Sequence, residues 1–223
     1  MTAWSYSSLT AFETCPRQYH ITRVLKAVTQ PETEEQRWGN EVHKALELRV
    51  REGVPLPPKL VQFEPIAAKI LSSKGAVFAE QKIGLTDQLE PCGFFDTNCW
   101  YRGIIDVGVV HTLTVSLLDY KTGKIKDDHN QLDLFSAAYM SAHPEVKSAK
   151  SGYIWLKHGK MTCKSLNREK VPIIWHDFRY RVDRLNTAYA NEKWVPNPSG
   201  LCKGWCPVGR ERCEFWSPKR KSW

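Results

Sequence analysis

Apolar residues recur along this chain with two distinct periods. Where they return every three to four positions, one face of a helix is expected. Val42, Leu46 and Val50 make such a stripe. This spacing predicts helices near residues 7–24, 34–51, 65–73, 129–142 and 174–192. Ser7 is the expected N-cap of the first, because its hydroxyl can accept from a free backbone N–H at the helix start. Between the helices lie short runs crowded with Val, Ile and Leu and bounded by turn residues, the mark of strands. They fall near 76–84, 99–110, 115–121, 151–158 and 161–167. The order predicts an α/β fold, a central mixed β-sheet flanked by helices. Pro196-Asn197-Pro198-Ser199-Gly200 ends the last helix and opens a tail over 193–223. The expectation is one domain spanning 1–223, with its core over about 34–192.

Two of the predicted strands end in acids. Gly103-Ile104-Ile105-Asp106 and Leu118-Asp119-Tyr120-Lys121-Thr122-Gly123 are separated by the short Thr112-Leu113-Thr114, so a hairpin is expected. Pairing would set the two carboxylates side by side. Side chains repeat every second residue on a strand, so Lys121 points the same way as Asp119. Two converging carboxylates repel unless a cation lies between them, and hard oxygen ligands suit Mg²⁺ or Mn²⁺. A lysine beside such a metal orients a water and stabilises charge on a phosphate in transit. Asp-x-Lys is common, and taken by itself a surface ion pair is the plainer explanation.

Other positions change that balance. Gly39, His43 and Glu47 lie four apart on a face beside the Val42 stripe. Gln131 opens the polar face of the helix that follows the lysine, and Tyr139 lies two turns on. Glu80 falls on a predicted strand, either as an inward-facing acid supporting the site or as a solvated residue.

Composition bounds the rest. The net charge is +8 with a pI near 9.1, and Lys219-Arg220-Lys221 adds a basic end, a balance suited to a polyanion. Nine tryptophans and eight tyrosines are many. Trp38, Trp100, Tyr101 and Trp205 are candidates to stack bases, with core packing the ordinary role for most. No apolar run approaches the ~20 residues of a membrane span. Seven cysteines, an odd number behind an N-terminus without a secretory signal, point to a reducing cytoplasm rather than to disulfides. Cys202, Cys206 and Cys213 cluster as C-x3-C-x6-C, and three thiols need a fourth, for which Cys15 is the candidate. Cys92, Cys99 and Cys163 have no paired spacing and are expected as small buried hydrophobes. No G-x-x-x-x-G-K-[ST] phosphate loop is present, so no ATP motor is expected.

Taken in order, Ser5, Ser7, Phe12, Cys15, Pro16 and Tyr19, then Gly39 and His43, then Gly103 and Asp106, then Asp119 to Gly123, then Gln131 and Tyr139, the chain resembles the RecB-type branch of the PD-(D/E)XK nuclease superfamily. That resemblance implies a restriction-endonuclease-like core and a metal-dependent deoxyribonuclease. His43, Asp106, Asp119 and the Tyr120 carbonyl would hold Mg²⁺ or Mn²⁺, and Lys121 would position the attacking water. Gln131 and Tyr139 would organise the site wall or touch the DNA backbone, with Lys124 also meeting the DNA. It also implies a [4Fe–4S] cluster on Cys15, Cys202, Cys206 and Cys213, docking the tail on the N-terminal helix. That is the arrangement of AddB-like helicase–nuclease subunits and CRISPR-adaptation nucleases, although each gap between the clustered cysteines is one residue longer here. Zn²⁺ on the same thiols is the alternative. The activity expected is an exonuclease on single-stranded DNA ends in recombination or repair, beside a recombination protein partner, in the cytoplasm, or in the host cytoplasm for a phage-encoded enzyme. The alternatives are an endonuclease or CRISPR end-trimming enzyme of the same fold, and a catalytically silent DNA-binding scaffold.

Overall fold

A computed structural model describes residues 3–29 and 31–218; the basic Lys219–Lys221 stretch lies outside them. The chain divides into two compact units, one over Thr33–Asp177 and one joining Trp4–Glu32 to the chain from Phe178 onward. The division falls inside a continuous helix, Val171–Ala190.

In the first unit, α3 (Glu34–Glu52) starts on a capping box, Thr33 Oγ1 accepting from Gln36 N–H and Gln36 accepting from Thr33 N–H. It stops at Gly53, whose φ of 72° is the left-handed conformation that favours glycine. After α4 (Glu64–Leu71) the chain runs through β1 (Ala76–Leu85), a two-residue β2 (Pro91–Cys92), β3 (Tyr101–Val110) and β4 (Thr114–Lys121). Then come α5 (Asn130–Ala142), β5 (Ser148–Trp155), β6 (Lys160–Asn167) and the start of α6 (Val171–Ala190). The strands form one sheet in the order β2-β1-β3-β4-β5-β6. Every pair is antiparallel except β4 and β5, which run parallel because α5 carries the chain back across. The short β2, a strand the patterning did not predict, is held only at Gly84↔Cys92 and Leu85↔Pro91.

Strand alternation sorts the core into two layers. Ile154 packs with Val42, Leu46, Leu60, Ala67, Val107 and Tyr120 beneath α3 and α4, while its neighbours Tyr153 and Trp155 pack with Leu132 of α5. Leu46 is fully buried, and truncating such a side chain to Ala costs about 2–5 kcal/mol. Trp100 and Tyr101, candidates for base stacking, are instead 5 % and 0 % exposed and pack against Trp175 at 5.9 and 5.5 Å. Cys99 is buried as expected, but Cys92 is half-buried and Cys163 is exposed on edge strand β6.

In the second unit, α1 (Tyr6–Thr14) is capped by Ser5 rather than Ser7: Ser5 and Ser8 bond reciprocally as a capping box. The helix expected to run to 24 breaks at Cys15, whose φ of −163° and ψ of 108° are extended. The cause is Pro16, since the residue before proline is driven out of the helical region. Helix α2 (Pro16–Tyr19) then leads into a π-helical turn over His20–Val24. Arg181 clamps Glu13 through two 2.7 Å bonds, and Trp194 stacks on His20 at 4.7 Å. Among the described residues no helix is long and apolar enough to cross a membrane.

Candidate active site

The β3–β4 hairpin forms as the pattern predicts. Val107 pairs with Leu118, and the two strands part beyond that rung, where Asp106 and Asp119 follow. The gap is bridged by side chain: Asp106 Oδ2 accepts from Tyr120 N–H at 2.8 Å. Both motif glycines make room. A Cβ on Gly103 would strike the Tyr101 ring, and one on Gly39 would come within 3.2 Å of Thr122 Oγ1. So α3 can lie against the segment after Lys121.

Helix α3 brings His43 to the acids. Its Nδ1 lies 3.3 Å from Asp106 Oδ2 and its Nε2 2.8 Å from the Tyr120 carbonyl. Burial pulls the imidazole pKa down, but the hydrogen bond and charge of Asp106, then the charge of Asp119, outweigh it, and the net shift is upward. The Tyr120 carbonyl, an expected metal ligand, also meets the His43 ring in this arrangement.

Asp119 is 4 % exposed and held on the other side. Lys121 Nζ sits 2.7 Å from Asp119 Oδ2 and donates to Gln131 Oε1 at 3.0 Å, and Gln131 Nε2 donates to Asp119 Oδ1 at 3.2 Å. The lysine contact is an ion pair without hydrogen-bond alignment, which leaves the buried Oδ2 without a hydrogen-bond partner. Burial, then the nearby Asp106, pushes Asp119 up to about 6, against the pull of Lys121. Lys121 also lies 5.0 Å over the Tyr153 ring.

The acid that the sequence left undecided is part of this group. Ligand atoms of His43, Glu80 and Asp106 all lie within 4.8 Å of one another. Glu80 reaches there from β1 on a left-handed backbone, with φ at 52°, a conformation costing about 1–3 kcal/mol for a non-glycine residue. Alternation alone could not reveal it, because this φ departs from the strand geometry that alternation assumes. Burial and the charges of Asp106 and Glu47 raise its pKa. An imidazole and converging carboxylates, of which Glu80 and Asp119 are held above their ordinary range, are the donor set a hard divalent cation fits.

The two residues expected to meet DNA are placed differently. Lys124 is exposed between β4 and α5. Tyr139 is 3 % exposed, stacked between Phe78 at 5.8 Å and His143 at 4.3 Å, so it packs the core of the first unit and offers no surface to a strand.

The four cysteines, by contrast, line one cavity in the second unit: Cys15 at the α1 break, with Cys202, Cys206 and Cys213 from the tail. Backbone amides point at the sulfurs, Asn197 N–H to Cys15 Sγ at 3.4 Å and Ser199 N–H to Cys202 Sγ at 3.5 Å. Burial raises the Cys206 thiol, as do the sulfurs of Cys15, Cys202 and Cys213, against the lowering effect of the Val208 amide. Among the described residues only the His43 group brings three ligand atoms within 4.8 Å of one another. Four thiols around one cavity, with amides aimed at two of them, are a donor set that suits either an iron–sulfur cluster or Zn²⁺.

Residues 3–81 match the family model of the PD-(D/E)XK nuclease superfamily. No curated protein matches the chain. Among solved structures, the "Putative exonuclease" of Eubacterium rectale is similar with a TM-score of 0.51 at 12 % identity, over 91 % of this chain and 86 % of that one. The structure of SSO0001 gives a TM-score of 0.47 at 14 % identity, over 93 % of this chain and 84 % of that one. The family match over the N-terminal third and the likeness over nine-tenths of the length agree with the six-stranded sheet: the chain has the fold of the PD-(D/E)XK nuclease superfamily.

Proposed function

We propose that this protein is a metal-dependent deoxyribonuclease, acting as an exonuclease on single-stranded ends. The observation that carries the reading is the convergence of His43, Glu80 and Asp106 beside a buried Asp119 whose partner Lys121 is pinned by Gln131. His43, Glu80, Asp106 and Asp119 would hold Mg²⁺ or Mn²⁺, which supplies Lewis-acid stabilisation of charge building on the phosphate. The chain's own residues do the rest. Gln131 fixes the Lys121 ammonium, so its N–H groups are aimed before substrate arrives and lose little freedom in orienting a water. Asp106, tied to Tyr120 N–H and near His43, holds the two strand ends in register around the reacting phosphate. The net charge of +8 around this acidic centre favours a polyanionic substrate.

Cys15, Cys202, Cys206 and Cys213 would hold a [4Fe–4S] cluster, supported by their shared cavity and the amides aimed at two of the sulfurs. Its part would be structural, tying the N-terminal helix to the tail beside the small cluster of Ile21, Val208 and Trp216.

The test is digestion of end-labelled linear single strands, linear duplex and closed single-stranded circles with Mg²⁺ or Mn²⁺. Loss of the linear strand with the circle intact is the expected result. Cutting of the circle would mean an endonuclease, and no cutting at all, with DNA still bound, would leave the silent scaffold.

A further inference from the structure

The loop between β2 and β3 carries two adjacent phenylalanines. Phe95 is 75 % exposed, and Phe94, half-buried, meets it edge-on with centroids 5.1 Å apart. One exposed aromatic ring is ordinary on a protein surface. These two are flanked by a pair of cations. Lys82 Nζ lies 5.6 and 5.4 Å from the Phe94 and Phe95 centroids, and the Arg102 guanidinium carbon 5.7 Å from each. The buried Arg102 Nε has no hydrogen-bond partner. The loop is tightly wound: Gly93 N–H donates to Asp96 Oδ2 at 2.7 Å, Asp96 N–H to the Gly93 carbonyl at 3.0 Å, and Cys99 N–H to the Asp96 carbonyl at 3.1 Å. The rings are therefore presented on a fixed turn at little ordering cost.

Their place on the sheet gives them a use. Along β3 the residues alternate in burial, so Arg102, Ile104 and Asp106 share the less buried face, and Lys82 lies opposite Ile104 on β1. Four residues at ~3.3 Å each put Arg102 ~13 Å from Asp106. An aromatic platform beside two cations, on the same sheet face as a phosphate-cutting centre, has the parts a single strand needs: ring faces for bases and positive charge for phosphates.

We propose that Phe94 and Phe95, with Lys82 and Arg102, clamp single-stranded DNA by stacking its bases a few nucleotides from the scissile phosphate. The clamp rests on the nuclease reading above and adds to it a binding site that sets where the strand is held. It makes the enzyme discriminate bases from bare backbone without reading their sequence, since every base offers a π-face.

The experiment is fluorescence anisotropy, in EDTA to prevent cutting, of wild type, Phe95→Ala, Phe95→Trp and Arg102→Ala with a labelled oligothymidylate and with an abasic strand of equal length. Phe95→Ala should weaken oligothymidylate binding about tenfold and leave the abasic strand unchanged. Phe95→Trp should bind as wild type, with all variants melting alike. Arg102→Ala should weaken both strands and lower the salt slope by about one. If Phe95→Ala binds both strands as wild type does, or weakens both equally, the clamp is wrong. A wild type that cleaves linear DNA while Phe95→Ala binds unchanged sinks only the clamp. A wild type that cleaves no DNA with either metal sinks the nuclease reading itself.

Discussion

Glu80 faces Asp106 across the β1–β3 ladder at the residue where β1 turns left-handed. Ala79 and Gln81 on either side pair regularly with Val107 and Ile105, while Glu80 between them has a φ of 52°. The ladder is bent at this residue, whose carboxylate joins the His43 imidazole and the Asp106 carboxylate in one group. Backbone strain of this kind persists only where the surroundings enforce it, and it concentrates at functional sites.

Replacing Glu80 therefore separates stability from function. Glu80→Gly removes a side chain from a left-handed position and one of the crowded carboxylates, so the metal-free protein should gain about 1 kcal/mol. For a chain of this size that is a rise of roughly 2–4 °C in Tm. The same variant should bind Mn²⁺ more weakly in calorimetry. A fall in Tm, with Mn²⁺ affinity unchanged, would mean that Glu80 belongs to the strand and not to the metal group.

Gln131 acts through its neighbours. It spans Lys121 and Asp119, accepting from one at 3.0 Å and donating to the other at 3.2 Å. Gln131→Ala should lower kcat about 10–100-fold, the usual cost of removing a residue that orients site groups, and leave KM for DNA nearly unchanged. Asp119→Asn and Lys121→Ala should abolish cutting outright while DNA binding persists. Loss of binding in step with activity, for all three, would assign the triangle to folding.

How much of this could be read from the chain depends on whether a residue obeys local rules. The β3–β4 hairpin, with Asp106 and Asp119 at its parting ends, follows from alternation and a short turn, and the capping box at Thr33 agrees with the predicted start of α3. The helix break at Cys15 was equally legible in Pro16, although the periodicity ran through it. The burial of Tyr139 is not legible, because a tyrosine on a helix carries no sign of which neighbour it meets; Phe78 and His143, 61 and 4 residues away, stack on it. Trp100 and Tyr101 enter the core for the same non-local reason, through Trp175. The exposure of Phe94 and Phe95 is not legible either, because nothing in Gly93-Phe94-Phe95-Asp96 marks which side of the turn faces solvent.

The acid site should make the metal-free protein sensitive to pH. Asp119 is pushed up to about 6, and Glu80 and His43 are also raised. Between the ordinary carboxylate range and neutrality, the folded state then holds more protons at these groups than the unfolded one, so their contribution to stability falls as pH rises. In EDTA, Tm should increase as pH is lowered from 7 toward 5.5, and Asp119→Asn should flatten that slope. Saturating Mn²⁺ should flatten it as well, because a bound cation replaces the protons. An unchanged slope in Asp119→Asn would show that other groups control the acid response.

The cysteine cavity makes the last prediction, and it is a matter of counting. Four cysteines around one cavity, with the Asn197 and Ser199 amides aimed at two of the sulfurs, would hold the proposed cluster. Protein purified without air should be coloured and contain about four irons per chain and no stoichiometric zinc. Cys206→Ser should lose both colour and iron, whereas Cys163→Ser, on the exposed edge strand of the other unit, should keep them. Because the cage joins Cys15 to a tail nearly 200 residues away in sequence, its loss frees a long loop, and the second unit should melt well below the first. Colourless protein with one zinc per chain would make the cage a zinc site instead. Protein with neither metal, melting unchanged in Cys206→Ser, would reduce the cavity to a packing fault.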